Sequence, residues 1–248
     1  MKTALILAAL TLSLALGAPA VRAQSNRYLN AGIPAASREW TGADYERAVQ
    51  ILEAGKVSLP RFADPQGADL LRRITSTDNF ALLRNKDMPL EARLKDYLTM
   101  YQGAANLLRL YYSEPVVAGV APHQELAAIL AFLVQGSALG IELTDEFLPT
   151  IPKDDHYEIR MDGLKKMNSG ITTIFVSAEQ ALSDRETLSA DDRSVVLKAM
   201  ESTLPRVKKA FPEDVRAELR KKLEEDKARF TGQEDFQRLG AMIRELSV

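Results

Sequence analysis

The stretch Leu126–Ile141, LAAILAFLVQGSALGI, is the longest uncharged run outside the first 23 residues, closed by Glu125 and Glu142. At helical spacing Leu126, Ile129, Leu130, Leu133, Val134 and Ile141 make one broad apolar face. Ala127, Ala131 and Ala138 fall on another side, where a neighbouring backbone can approach closely. A helix apolar on most of its sides needs other helices around it. The expected fold is therefore all-α: a single-domain helical bundle of roughly seven to nine helices, with the buried central helix near 122–143. The competing reading is a membrane span. The uncharged run would rise only about 24 Å as a helix, against a hydrocarbon core of about 30 Å, and Gln135 sits in its middle. Gly136 and Gly140 form a GxxxG pattern, which pairs helices in membranes but here reads as close packing in a soluble core.

The flanking sequence supplies helices with their own start and stop signals. Thr41 and Asp44 mark a helix start, Tyr45, Val49 and Leu52 keep its spacing, and Gly55 ends it. Asp64-Pro65 opens another, with the proline where its missing N–H costs least, and 78–84 reads as one or two further turns. Pro89 begins a long helix with Leu90, Leu94, Tyr97, Leu98, Tyr101, Ala105, Leu108 and Tyr112 in register. A second long helix is expected over 156–184. Asn168-Ser-Gly170 inside it marks a close crossing or a local break, and the β-branched run 171–176 is the alternative strand. Ser189 and Asp192 open the next helix, which Pro205 should kink or stop. From Glu213 to Arg229, 12 of 17 residues are charged, six of each sign. Such a helix is solvated, with a narrow seam of Val215, Leu219 and Leu223. A short final helix is read around Phe236–Leu246.

The two ends of the N-terminal segment read differently. Residues 1–23 have the pattern of a secretory signal peptide: Lys2, an apolar region to Leu16, then Val21-Arg22-Ala23, with cleavage between Ala23 and Gln24. Residues 24–40 are polar and contain Gly32 and Pro34, so a mobile N-terminal arm is expected before a helical domain over 41–248. The chain has no cysteine, which excludes disulfides, thiolate metal sites, a cysteine nucleophile and lipid attachment at the cleavage point. None of the six asparagines stands in an N-x-S/T sequon. The expected location is periplasmic or secreted, with no transmembrane span left after cleavage. The formal charge of −2 is a poor match for nucleic acid or an anionic membrane.

Candidate chemistry is sparse. Asp154, Asp155, His156 and Glu158 could ligate a divalent metal or move protons. Their spacing matches no metal motif, however, and acidic residues at a helix start complement the macrodipole. His123 and Glu125 read as a polar first turn of the central helix. Tyr97, Tyr101, Tyr111 and Tyr112 form a stripe that suits a protein interface and equally suits a core. There is no nucleophile-elbow, S-x-x-K, P-loop or dinucleotide pattern, so no metal or cofactor is assigned. The expected function is a non-enzymatic binding or interaction protein of the bacterial cell envelope, with another envelope protein as partner. The alternatives are a hydrolase or metal-dependent enzyme using the cluster around His156, and a carrier of a small apolar ligand between helices.

Overall fold

Local capping chemistry starts the helices where the sequence places them. The structure, a computed structural model, describes residues 26–34, 39–113, 123–184, 186–230 and 232–247. The helices are α1 (Arg27–Asn30), α2 (Gly42–Glu53), α3 (Pro65–Ile74), α4 (Asn79–Arg84) and α5 (Leu90–Ser113). They continue with α6 (His123–Phe147), α7 (Tyr157–Ser183), α8 (Ala190–Val207), α9 (Glu213–Lys227) and α10 (Gln233–Leu246). Eight of them have seven residues or more, and no strand occurs among the described residues; the protein is an all-α bundle. Thr41 and Asp44 close a reciprocal capping box on α2, the Asp64 carboxylate accepts from the Gly67 N–H at 2.7 Å, and the Ser189 hydroxyl accepts from Asp192 N–H at 3.2 Å. These contacts satisfy amide donors that a helix start leaves free. Gly55, at φ +65°, follows the end of α2 in the left-handed conformation that glycine adopts without strain.

α6 occupies the centre. It packs most extensively on α8 and α5, and also on α7; α2 lies on α5, α10 on α8, and α9 against α10 and α7. Ile129, Leu130, Leu133 and Val134 have no exposed surface. Burial also reaches the other sides of the helix. The Phe132 ring stacks on Phe80 at 4.8 Å and on Tyr45 at 5.9 Å between ring centres, joining α6 to α4 and α2. Gly136 and Gly140 face α5: a Cβ at Gly136 would lie 3.5 Å from the Tyr101 ring, and one at Gly140 would overlap Tyr97. α6 continues past Glu142 to Phe147, so it is longer than its uncharged run. By length and composition it could cross a bilayer, and the argument from length fails. What distinguishes it is packing, since 83% of its most apolar window lies buried within the bundle. The acidic residues at its C-terminal end, unfavourable to the helix dipole, are met by cations: Glu142 pairs with Arg84 and Arg206, and Asp145 with Lys209.

Three expectations need correction. The described part of the N-terminal arm is not loose. Tyr28, Ile33 and Trp40 are buried, Arg27 pairs with Asp64 at 2.8 Å, and the Trp40 backbone N–H donates to Asn79 Oδ1 at 2.9 Å. The polar look of this segment conceals three large apolar side chains spaced widely enough to dock. α7 is one continuous helix through Asn168-Ser-Gly170, and nothing comes within 4 Å of a Cβ built at Gly170, so this glycine marks neither a break nor a crossing. Pro205 does not stop α8 at its own position: the helix runs two residues further, to Val207, without the bond that an N–H at 205 would make back to the Glu201 carbonyl. The signal-peptide residues, including Ala23 and Gln24, lie outside the described residues.

Candidate functional site

The cluster at the start of α7 stays on the surface. Asp154, Asp155, His156 and Glu158 are all exposed. Asp154 accepts from the Arg160 guanidinium at 2.7 Å and from the His156 backbone N–H at 2.9 Å. The Arg160 bond comes first in holding the Asp154 carboxyl below the usual range. Arg160 therefore pairs with Asp154. Among the described residues no group of three or more His, Asp or Glu side chains could hold a metal ion. Thermal melts should accordingly be unmoved by Zn²⁺, Mn²⁺ or Ca²⁺, because a ligand that binds only the folded state raises its melting point. An upward shift abolished in a His156→Ala, Asp155→Ala variant would restore the metal reading.

The tyrosine stripe divides. Tyr97 and Tyr111 are buried, and Tyr101 is largely so. Tyr97 stacks on Tyr101 at 5.3 Å, the Tyr101 hydroxyl lies 2.9 Å from Ser137 Oγ on α6, and Tyr111 donates to the Pro60 carbonyl. These three are core, which removes them as interaction candidates. Tyr112 alone is half exposed, at 49%. His123 and Glu125 are structural too. His123 Nδ1 lies 2.6 Å from the Thr187 carbonyl; a carbonyl only accepts, so this nitrogen carries the proton. Buried Glu125 accepts from the Phe62 N–H at 2.7 Å.

Tyr112 lines the first of three neighbouring hollows around the C-terminal end of α7, called the furrow below. The first, about 320 Å³, is lined by Tyr112, Gln180, Asp184 and Thr187. The second, about 350 Å³, shares Gln180 and Asp184 and adds Lys222 and Glu225. The third, about 270 Å³, shares Ser183, Asp226 and Arg229 with the second and runs to Phe230 and Asp235. A larger hollow of about 440 Å³ lies between α2 and α5 beside Leu98, but its carboxylates, Glu46 and Glu53, are exposed.

The furrow wall holds two carboxyl groups that are almost fully buried: Glu179 and Asp226, each 1% exposed. Ser183 Oγ lies 2.9 Å from Glu179 Oε1 and 2.7 Å from Asp226 Oδ2. Lys222 Nζ approaches Glu179 at 3.5 Å, and Arg229 approaches Asp226 at 3.6 Å. Burial pushes both carboxyl groups above the usual carboxylate range, against the opposing pull of Ser183 and the nearby cations. The Arg193 guanidinium covers Phe230 at 5.5 Å. Chemically this wall offers charged and hydrogen-bonding groups, with one aromatic surface at each end of the furrow.

Sequence reasoning did not single out Glu179, Ser183 or Asp226, yet a signal was there. Glu179 stands one turn after Phe175 on the apolar side of α7, beside Ala178 and Leu182. Asp226 continues the seam Leu219–Leu223 at the next helical step. An acidic residue at a seam position is forced to be buried. Comparison with protein-family models, with curated proteins and with solved structures finds no match to this chain.

Proposed function

We propose that this chain is an exported, non-enzymatic binding protein of the bacterial cell envelope, and that it engages another envelope protein through the furrow at the end of α7. The observation that carries the reading is Tyr112. It is the one member of the stripe at the surface, and it lines a hollow with the polar side chains of Ser177, Gln180, Asp184 and Thr187. Tyrosine combines a large contact area with a polar tip and is enriched at protein interfaces. Export rests on the signal-peptide pattern of residues 1–23. The hydrolase alternative draws no support from the residues around His156: all four are exposed, and Asp154 is engaged by Arg160. The apolar carrier draws none from these three hollows: charged side chains dominate the walls of the second and third, and Ser177, Gln180, Asp184 and Thr187 make the first polar.

A photoreactive amino acid placed at position 112 should crosslink in living cells to one defined protein, in chains recovered from the periplasm with Gln24 at their N-terminus. The same group at position 158, on the exposed start of α7, should not. Equal labelling at the two positions, or none at 112, would overturn the assignment of the furrow. Recovery only in the cytoplasm would overturn the envelope location.

A further inference from the structure

Ser183 sits between two buried carboxyl groups but has one hydroxyl proton. It can donate to Glu179 or to Asp226, not to both. If both carboxyl groups were ionised, one of the two short contacts would set a serine lone pair against a carboxylate oxygen. Both contacts become hydrogen bonds when one carboxyl group is protonated: that group donates to Ser183 Oγ, and the serine donates onward to the other. The two elements involved are distant in sequence. Glu179 and Ser183 are one turn apart near the end of α7, and Asp226 lies near the end of α9. The arrangement is therefore also a link between the two helices.

We propose that Glu179 and Asp226 share a single proton through Ser183, and that losing it loosens the α7–α9 junction beside the furrow. The surroundings fit this. On α7 the next carboxylate is Asp184, which is exposed and hydrogen-bonded to Thr187. From α8, Arg193 acts on Asp226. On α9, Lys222 faces Glu179 and is shared with Glu218, Arg229 faces Asp226, and Glu225 acts on Asp226 with like charge. From α10, Asp235 lines the same hollow and is held by Ser194 and Arg238. Four cations, Arg238 included, thus face six carboxyl groups, and those cations are partly exposed and screened by water. One of the six is best kept neutral, and the two buried ones bear the highest cost of ionisation. Because the sites interact, the proton belongs to the pair rather than to either residue.

The sign follows from linkage. The folded chain keeps a proton that the unfolded chain gives up at the ordinary carboxyl pKa of about 4. The stabilisation is complete below that value and is lost as pH rises through the raised pKa of the folded pair. Within the window where the two states differ by one proton, the unfolding constant rises by up to about tenfold per pH unit.

The test compares the full chain with Glu179→Gln and Asp226→Asn between about pH 5 and pH 8. Either amide supplies a permanent donor to Ser183. Denaturation midpoints should fall with rising pH in the wild type and in an exposed control, Glu158→Gln, and stay flat in the two amide variants. Amide-exchange protection, measured against the intrinsic base-catalysed rate, should fall over the same range in the last turn of α7 and near residue 226 in the wild type and in Glu158→Gln, and hold constant in the two amide variants. Carboxyl ¹³C titration of the unmodified chain gives an answer that does not depend on how the variants fold. One proton of the pair should persist above about pH 5. Two carboxyl groups titrating together near pH 4, or a wild-type midpoint as flat as that of Glu179→Gln, would overturn the proposal.

Discussion

Leu130→Ala and Leu133→Ala should each destabilise the protein by about 2–5 kcal/mol, the cost of a lost core transfer term plus a residual cavity. Both side chains have no exposed surface, and they lie on the helix that packs on α5, α7 and α8. Neighbours on several helices cannot all move in to fill the space. A loss of this size is a large part of the 5–15 kcal/mol typical of a folded domain, so the midpoint of chemical denaturation should fall steeply. Glu218→Ala on α9 is the control. Its side chain is 68% exposed and shares Lys222 with Glu179, a surface pairing that contributes at most about 1 kcal/mol. Leucine variants with wild-type stability that lost membrane association or partner binding would make α6 a working surface, and the bundle would have to be redrawn.

Gly140→Ala should be comparably damaging, by the opposite mechanism. A Cβ there would overlap the Tyr97 hydroxyl oxygen and lie 2.7 Å from Cζ. Tyr97 is fully buried and stacked on Tyr101, so its ring cannot swing aside and α5 must move off α6. Overpacking of this kind costs about 1–3 kcal/mol, more where the neighbours are rigid. The same contact makes a second, opposite expectation. The Tyr97 hydroxyl is buried without a hydrogen-bond partner, so Tyr97→Phe should leave stability unchanged or raise it. The two sites should couple: Gly140→Ala should cost less in a Tyr97→Leu background than in the wild type. Equal costs in the two backgrounds would place the strain elsewhere, and a harmless Gly140→Ala would show that the helices separate freely.

The contrast between glycines shows how far a sequence reading reaches. Gly136 and Gly140 are legible as a close approach because they stand one turn apart inside an apolar run, and α5 meets them there. Gly170 is half-buried on α7, with open space where a side chain would stand. Its neighbours in sequence could not reveal that, because what meets a glycine depends on which helix is packed opposite. The tyrosines divide for a related reason. Tyr111 and Tyr112 are adjacent in the chain, but a rotation of 100° sends one hydroxyl to Pro60 and leaves the other beside the furrow.

Helix identity, the caps at Thr41, Asp64 and Ser189 and the centrality of 126–141 were determined by the sequence alone. Each rests on interactions within about four residues or on a periodicity that any single helix carries. The docking of Tyr28 and Trp40, the exposure of Tyr112 and the meeting of Glu179 with Asp226 were decided only by the tertiary structure. The last pair is separated by 47 positions on two helices whose seams each look like ordinary amphipathic faces with one misplaced acid. Burial makes those acids consequential, and burial exists only once α9 has closed on α7. A serine hydroxyl with a single proton then becomes the point at which two distant segments must agree.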